Sequence, residues 1–136
     1  MKGISHLTYI VQDVERMATL LCRGLGALEV YDSAGQNHSL SREKFFILGG
    51  VWIAAMEGSP PANRSYQHTA FSVNEDELPR YHANLQALGV EIRPPRARLE
   101  GEAQSLYFYD FDNHLFELHT GTLEKRLAHY QALAGR

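Results

Sequence analysis

The sequence predicts an α+β fold in which two copies of a βαβββ module pair into a curved mixed sheet. Three observations predict it. The element order strand, helix, strand, strand, strand occurs once before and once after a Gly- and Pro-containing linker at 58–63. His6 and His68 each stand near the start of the first strand of a copy, 62 positions apart (68 − 6), a spacing that marks a duplicated module and not a solenoid. Neither copy alone buries both faces of its sheet, so the copies are expected to pair. A chain of 136 residues suits a single domain, with module one at about 1–57, module two at about 65–119 and a C-terminal helix at about 122–134.

The elements follow in order. Residues 4–11 alternate, with His6, Thr8 and Ile10 on one face and Leu7, Tyr9 and Val11 on the other, which is a strand pattern. Asp13 is the expected N-cap of a helix that runs to about Leu25 before Gly26. Cys22 falls within its apolar pattern and reads as a small buried hydrophobe. Residues 28–31 form a short strand, 39–48 one or two strands with Glu43 near the middle, and 51–56 an apolar strand after the Gly49-Gly50 turn. The second copy repeats this with a strand at 68–73, a helix from Asn74 or Glu75 to about Leu88 stopped by Gly89, and a strand at 90–93. Pro94 and Pro95 then open a basic loop through Glu102. Strands at 105–109 and 114–119 flank the Asp110-Phe111-Asp112-Asn113 turn, and an amphipathic helix covers 123–133.

Composition narrows the function classes. A net charge of −3 gives no electrostatic footprint for nucleic acid or an anionic membrane. No apolar run approaches the roughly 20 residues that span a bilayer, and the N-terminus has no signal-peptide stretch. One cysteine cannot make an intrachain disulfide. The expectation is a cytoplasmic protein acting on a small molecule.

His6, His68 and Glu117 occupy comparable places in strands of the two modules. Two imidazoles and a carboxylate make a sound divalent-metal set with open positions, suited to Mn(II), Fe(II), Ni(II) or Zn(II). Glu117 lies in the apolar run Leu115-Phe116-Glu117-Leu118, where an ionised carboxylate is costly without a partner. Glu43 stands between Arg42 and Lys44, and a solvated strand residue in a charge-alternating patch is the plain alternative to a reactive group.

The runs Ser5-His6-Leu7-Thr8, Arg64-Ser65-Tyr66-Gln67-His68 and Tyr107-Phe108-Tyr109-Asp110-Phe111-Asp112-Asn113-His114-Leu115-Phe116-Glu117-Leu118-His119 resemble fosfomycin-resistance proteins. These belong to the glyoxalase/bleomycin-resistance/dioxygenase superfamily, whose scaffold is the vicinal-oxygen-chelate fold. The run Ser39-Leu40-Ser41-Arg42-Glu43-Lys44-Phe45-Phe46 resembles the epoxide-hydratase branch, the FosX type. The resemblance spans nearly the whole chain. It implies that His6, His68 and Glu117 are metal ligands, with Mn(II) the usual activator. It implies that Glu43 is the general base of an epoxide hydrolase that hydrates fosfomycin to a diol phosphonate and so gives antibiotic resistance. Arg126 matches a phosphonate-binding arginine, and Thr8, Trp52, Ser105 and Tyr107 match pocket positions. A module-swapped homodimer is implied as well, with His6 of one chain beside His68 and Glu117 of the other.

The loop at 93–102 departs from the thiol-transferase branch, which holds potassium and a phosphonate-contacting lysine there. This chain has no lysine in that loop, and Arg93, Arg96 or Arg98 would substitute. Three other functions remain open at this point. One is transfer of glutathione or another thiol to fosfomycin. Another is different metal chemistry on the same scaffold: a ring-cleaving dioxygenase, or a lactoylglutathione lyase, whose fourth ligand would fall near Ala54. The last is drug sequestration without a metal.

Overall fold

The computed structural model describes residues 1–95 and 103–135. It contains two four-stranded mixed sheets of identical topology, each drawn from one half of the chain. The first runs β1 (His6–Val11), β4 (Val51–Glu57), β3 (Glu43–Leu48), β2 (Leu28–Asp32) in spatial order. The second runs β5 (His68–Ser72), β8 (Leu115–His119), β7 (Ser105–Tyr109), β6 (Glu91–Ile92). In each, the opening strand pairs parallel with the last and the remaining pairs are antiparallel.

Helix α1 (Val14–Thr19) starts where expected, because the Asp13 carboxylate accepts the backbone N–H groups of Glu15 and Arg16 at 2.9 and 3.1 Å. It widens into a π-helical turn at Leu20–Gly24. A Cβ on Gly24 would stand 3.1 Å from Leu85 and 3.2 Å from Leu88, so this glycine lets the first module's helix approach the second's. That second helix, α2 (Leu78–Ala87), follows a 3₁₀ turn at Glu75–Glu77 capped reciprocally by Asn74 and Glu77. The last helix, α3 (Leu123–Ala134), is capped by Thr122 and buries none of its residues within the chain.

Two differences from the sequence expectation bear on the site. Glu43 opens β3 instead of lying mid-strand, because Ser33 accepts the Glu43 N–H on its hydroxyl and donates its own N–H to the Glu43 carbonyl, which starts the β2–β3 ladder there. The strand expected at 90–93 shrinks to Glu91–Ile92, as Pro94 and Pro95 cannot donate to a ladder.

One hydrophobic core serves both modules. Tyr9, Val11, Val14, Met17, Leu21, Phe46, Ile53 and Ala55 join Leu85, Phe108, Phe116 and Leu118. Tyr9 stitches the halves, donating its hydroxyl to Thr69 at 2.7 Å and packing on Phe116. Strand alternation therefore commits one face of each sheet to the helices. The other face is left to carry His6, Thr8, Trp52 and Glu43 in the first sheet, and His68, Ser105, Tyr107 and Glu117 in the second.

Candidate metal centre

The Asp110-Phe111-Asp112-Asn113-His114 turn fixes the register on which the second sheet's chemistry depends. One Asp110 oxygen accepts the backbone N–H groups of Asp112 and His114 at 2.8 and 2.9 Å, and the other meets His114 Nδ1 at 2.7 Å. Asn113 takes the left-handed conformation (φ 68°) that asparagine tolerates. This turn sets Tyr107 opposite Glu117 and Ser105 opposite His119.

Glu117 is 4% exposed, and its two oxygens are engaged separately. Oε1 stands 3.1 Å from His68 Nε2. Oε2 accepts from the Ser105 hydroxyl at 2.5 Å and lies 3.1 Å from His119 Nδ1. Tyr107 also hydrogen-bonds the carboxylate. Burial works to raise the Glu117 pKa, but the Ser105 and Tyr107 hydrogen bonds and the nearby His119 and His68 outweigh it, so the carboxyl sits below its ordinary range. The same burial, the Tyr66 hydrogen bond and the Glu117 charge push the Tyr107 phenol up, so it stays a neutral donor. The Tyr66 and Tyr107 hydroxyls lie 3.1 Å apart, a contact in which either can be the donor.

The His68 ring is oriented by the backbone just before it. Its Nδ1 lies 2.7 Å from the Tyr66 carbonyl, which can only accept, so Nδ1 carries the hydrogen. Nε2 then faces Glu117 Oε1 at 3.1 Å, a contact that a proton on Nε2 or a cation held by both atoms would satisfy. A divalent cation suits a nitrogen–oxygen donor pair of this kind.

Among the described residues of one chain, no three His, Cys, Asp or Glu side chains gather to hold a metal. His6, the third expected ligand, lies on the first sheet, its ring 4.2 Å from Trp52 and its Nδ1 3.0 Å from the Ser5 hydroxyl. Trp52 keeps a buried indole N–H with no partner among the described residues. Thr8 is exposed two residues beyond His6 on the same face.

Glu43 shares that face and is 7% exposed, and among the described residues its carboxylate makes no hydrogen bond or ion pair. The flanking cations do not neutralise it. Lys44 points to the helix side, 2.8 Å from Glu29 and 3.3 Å from Glu15, while Arg42 is paired with Glu15 and Asp32. Folding thus splits the alternating patch in two: Arg42 and Lys44 share the Glu15 and Asp32 carboxylates, and Glu43 turns to the other face without a side-chain partner among the described residues.

Arg126 reaches the site edge from α3, with Nη2 3.3 Å from His119 Nε2. Arg93 pairs with Glu91 at 3.6 Å, and its N–H bonds the Tyr107 carbonyl. Arg96 and Arg98 lie outside the described residues. The sequence reading missed His119 and Tyr66. His119 was findable as the residue two beyond Glu117 on the same strand face, and Tyr66 was hidden because it acts partly through its backbone carbonyl.

Two mixed βαβββ modules, with a nitrogen–carboxylate centre on the face away from the helices, define a paired-module metalloprotein class. The family model of the Glyoxalase/Bleomycin resistance protein/Dioxygenase superfamily matches residues 3–118, and the chain belongs to that superfamily and, within it, to the family of the FosX fosfomycin resistance proteins. It is 53% identical over 127 residues to the fosfomycin resistance protein FosX of Mesorhizobium japonicum, covering 93% of this chain and 91% of the relative. The crystal structure of a mutant FosX from Listeria monocytogenes, complexed with Mn(II) and 1S,2S-dihydroxypropylphosphonic acid, superposes with a TM-score of 0.85 at 47% identity, covering 96% of this chain and 98% of that one. The metallothiol transferase FosB of Shouchella clausii is more distant, at 36% identity over 97% of this chain and 89% of its own length. No helix among the described residues is long and apolar enough to cross a membrane.

Proposed function

We propose that this protein is a Mn(II)-dependent epoxide hydrolase that hydrates fosfomycin to its diol phosphonate. The observation that carries this reading is the pair of open sheet faces. One presents His68 and Glu117 as a preformed half of a metal site. The other carries His6 and, four ladder positions along the same face, Glu43, a mostly buried carboxylate with no hydrogen-bond or ion-pair partner among the described residues. The similarity to FosX supports the substrate and the metal.

The ligands His68 and Glu117 come from one chain, and His6 of the partner subunit completes the set in a homodimer. The helix-covered faces are already spent on the intrachain core, so the open faces are the surfaces left for a second copy to meet. The bound cation supplies Lewis acidity toward the oxirane oxygen. Arg126 takes the phosphonate, whose oxygens fit the guanidinium fork, and Thr8, Trp52, Ser105 and Tyr107 line the pocket around it. Glu43 takes a proton from water as the water oxygen bonds to the oxirane carbon bearing phosphorus. That carbon–oxygen bond breaks, the released oxygen gains a proton, and two hydroxyls result. The proton on Glu43 returns to solvent.

The test is fosfomycin turnover with Mn(II) and no thiol, with the product read by phosphorus NMR. The diol is the expected product. A thiol adduct formed only when glutathione, cysteine or bacillithiol is added would replace this reading with thiol transfer, and no turnover with either would remove both.

A further inference from the structure

His119 has no part in the reading above, yet polar groups from both ends of the site meet on its ring. A guanidinium has only donors, so Arg126 Nη2, 3.3 Å from Nε2, donates to it, and the imidazole hydrogen belongs on Nδ1. Nδ1 is 3.1 Å from Glu117 Oε2 and 2.8 Å from Ser105 Oγ. Ser105, 2.5 Å from the same carboxylate oxygen, gives its own hydrogen to Glu117 and can accept from Nδ1–H. Every polar atom of the ring is thereby assigned. Among the described residues, this is the one hydrogen bond of the Arg126 side chain.

The ring also has a built seat. A Cβ on Gly121 would stand 2.7 Å from His119 Nε2 and 2.6 Å from the Ala103 Cβ, distances real side chains do not adopt. Glycine at 121 is therefore required for room. The Thr120 N–H bonds the Gln104 carbonyl at 3.0 Å and the Gln104 N–H bonds the Thr120 hydroxyl at 2.9 Å, which closes the slot around the imidazole.

We propose that His119 is a positioning residue that couples the metal-binding carboxylate to the phosphonate-binding arginine. Its Nδ1–H is given to Ser105 Oγ, whose own hydrogen holds Glu117 Oε2, which leaves Oε1 directed at the His68 side. Its Nε2 holds the Arg126 guanidinium, on a helix that gives that side chain no other anchor. This rests on the roles given to Glu117 and Arg126 above.

Three variants separate the two contacts. In each, Mn(II) affinity is measured by EPR titration without fosfomycin, and KM and kcat by diol formation. His119→Leu removes both contacts, and a roughly tenfold loss in Mn(II) affinity and a roughly tenfold rise in KM are expected. His119→Asn places an amide nitrogen near the Nδ1 position but cannot reach Arg126, so KM rises while Mn(II) affinity stays near wild type. His119→Gln carries an acceptor to the Nε2 position, so KM recovers while Mn(II) affinity falls. In an Arg126→Ala background, His119→Asn adds no further rise in KM. The proposal is overturned if His119→Leu leaves both quantities unchanged, or if Asn and Gln lose both in parallel, as a purely packing role would produce. A wild-type protein that makes no diol would count against the hydration reading instead, and the Mn(II) titrations would still decide the Glu117 half.

Discussion

Ala54 and Glu117 stand at equivalent points of the two sheets. Each lies two residues beyond the residue paired with the opening histidine, Trp52 opposite His6 and Leu115 opposite His68. The pairing of β3 with β4, and of β7 with β8, extends the equivalence. Phe45 corresponds to Tyr107, Glu43 to Ser105, Met56 to His119, and on the helix side Lys44 to Leu106. One backbone plan has thus been given two chemistries by a handful of side chains. The second sheet gained a carboxylate with three supporting donors. The first kept its histidine and gained an unpartnered glutamate at the edge of the same face. On the proposed ligand set, a full site would take one face of each kind.

The largest expected effect follows from removing the carboxylate that distinguishes the sheets. Glu117→Gln is expected to abolish Mn(II) binding and diol formation together, because the Oε1 facing His68 loses its charge. Retained tight Mn(II) binding in a titration of the variant would show that the centre lies elsewhere. Glu43→Gln is expected to lower kcat by about 10² to 10⁴ while leaving Mn(II) affinity intact, since a neutral amide cannot take the water proton. Full-rate diol formation by that variant would end its assignment as base.

A mixing experiment sharpens the claim that the faces come from different chains. His6→Ala and Glu117→Ala proteins are each expected to be inactive. If half-sites are shared across a twofold dimer, re-associated mixtures should recover roughly a quarter of wild-type activity, since random pairing leaves one intact site in half of the dimers. No recovery from a mixture shown to exchange subunits would place all three ligands in one chain.

The smallest effect concerns the helix side, where the first module buries an ammonium and the second buries hydrocarbon. Burial opposes the Lys44 charge, but hydrogen bonds to Glu29 and Glu15 more than offset it, and its pKa is raised. Glu15 is held low by hydrogen bonds from Arg42 and Lys44, and Asp32 by the Ala34 N–H and then Arg42. Carboxyls depressed on folding stabilise the protein above their unfolded pKa and lose that contribution as pH falls through the folded one, so thermal stability should decline below about pH 4. The raised Lys44 acts in the opposite direction, contributing at neutral pH and losing its share as pH rises through its folded pKa, above about 10.5. Lys44→Met should flatten part of both limbs in melts taken across pH, and identical limbs in wild type and variant would show that the cluster contributes nothing.

Much of this was legible in the chain itself. Alternation in 4–11 assigned its faces correctly, Asp13 and Gly26 bracketed the first helix, and an offset close to the 62 residues between the histidines placed the counterpart of Glu117 near Ala54, where the register puts it 63 positions back (117 − 54). Those features are local, set by strand period, capping chemistry and duplication. What only tertiary structure decided is which polar groups lost their partners and which gained them. Neighbouring charges at 42–44 read as one patch in sequence, yet folding sends Arg42 and Lys44 to Glu15, Glu29 and Asp32 and leaves Glu43 bare. His119 became the meeting point of Ser105, Glu117 and Arg126 only when a hairpin and a helix start brought them within hydrogen-bond reach. Hydrogen bonds and desolvation act over a few ångströms between residues distant in the chain, so composition and periodicity carry the frame but not the pairing.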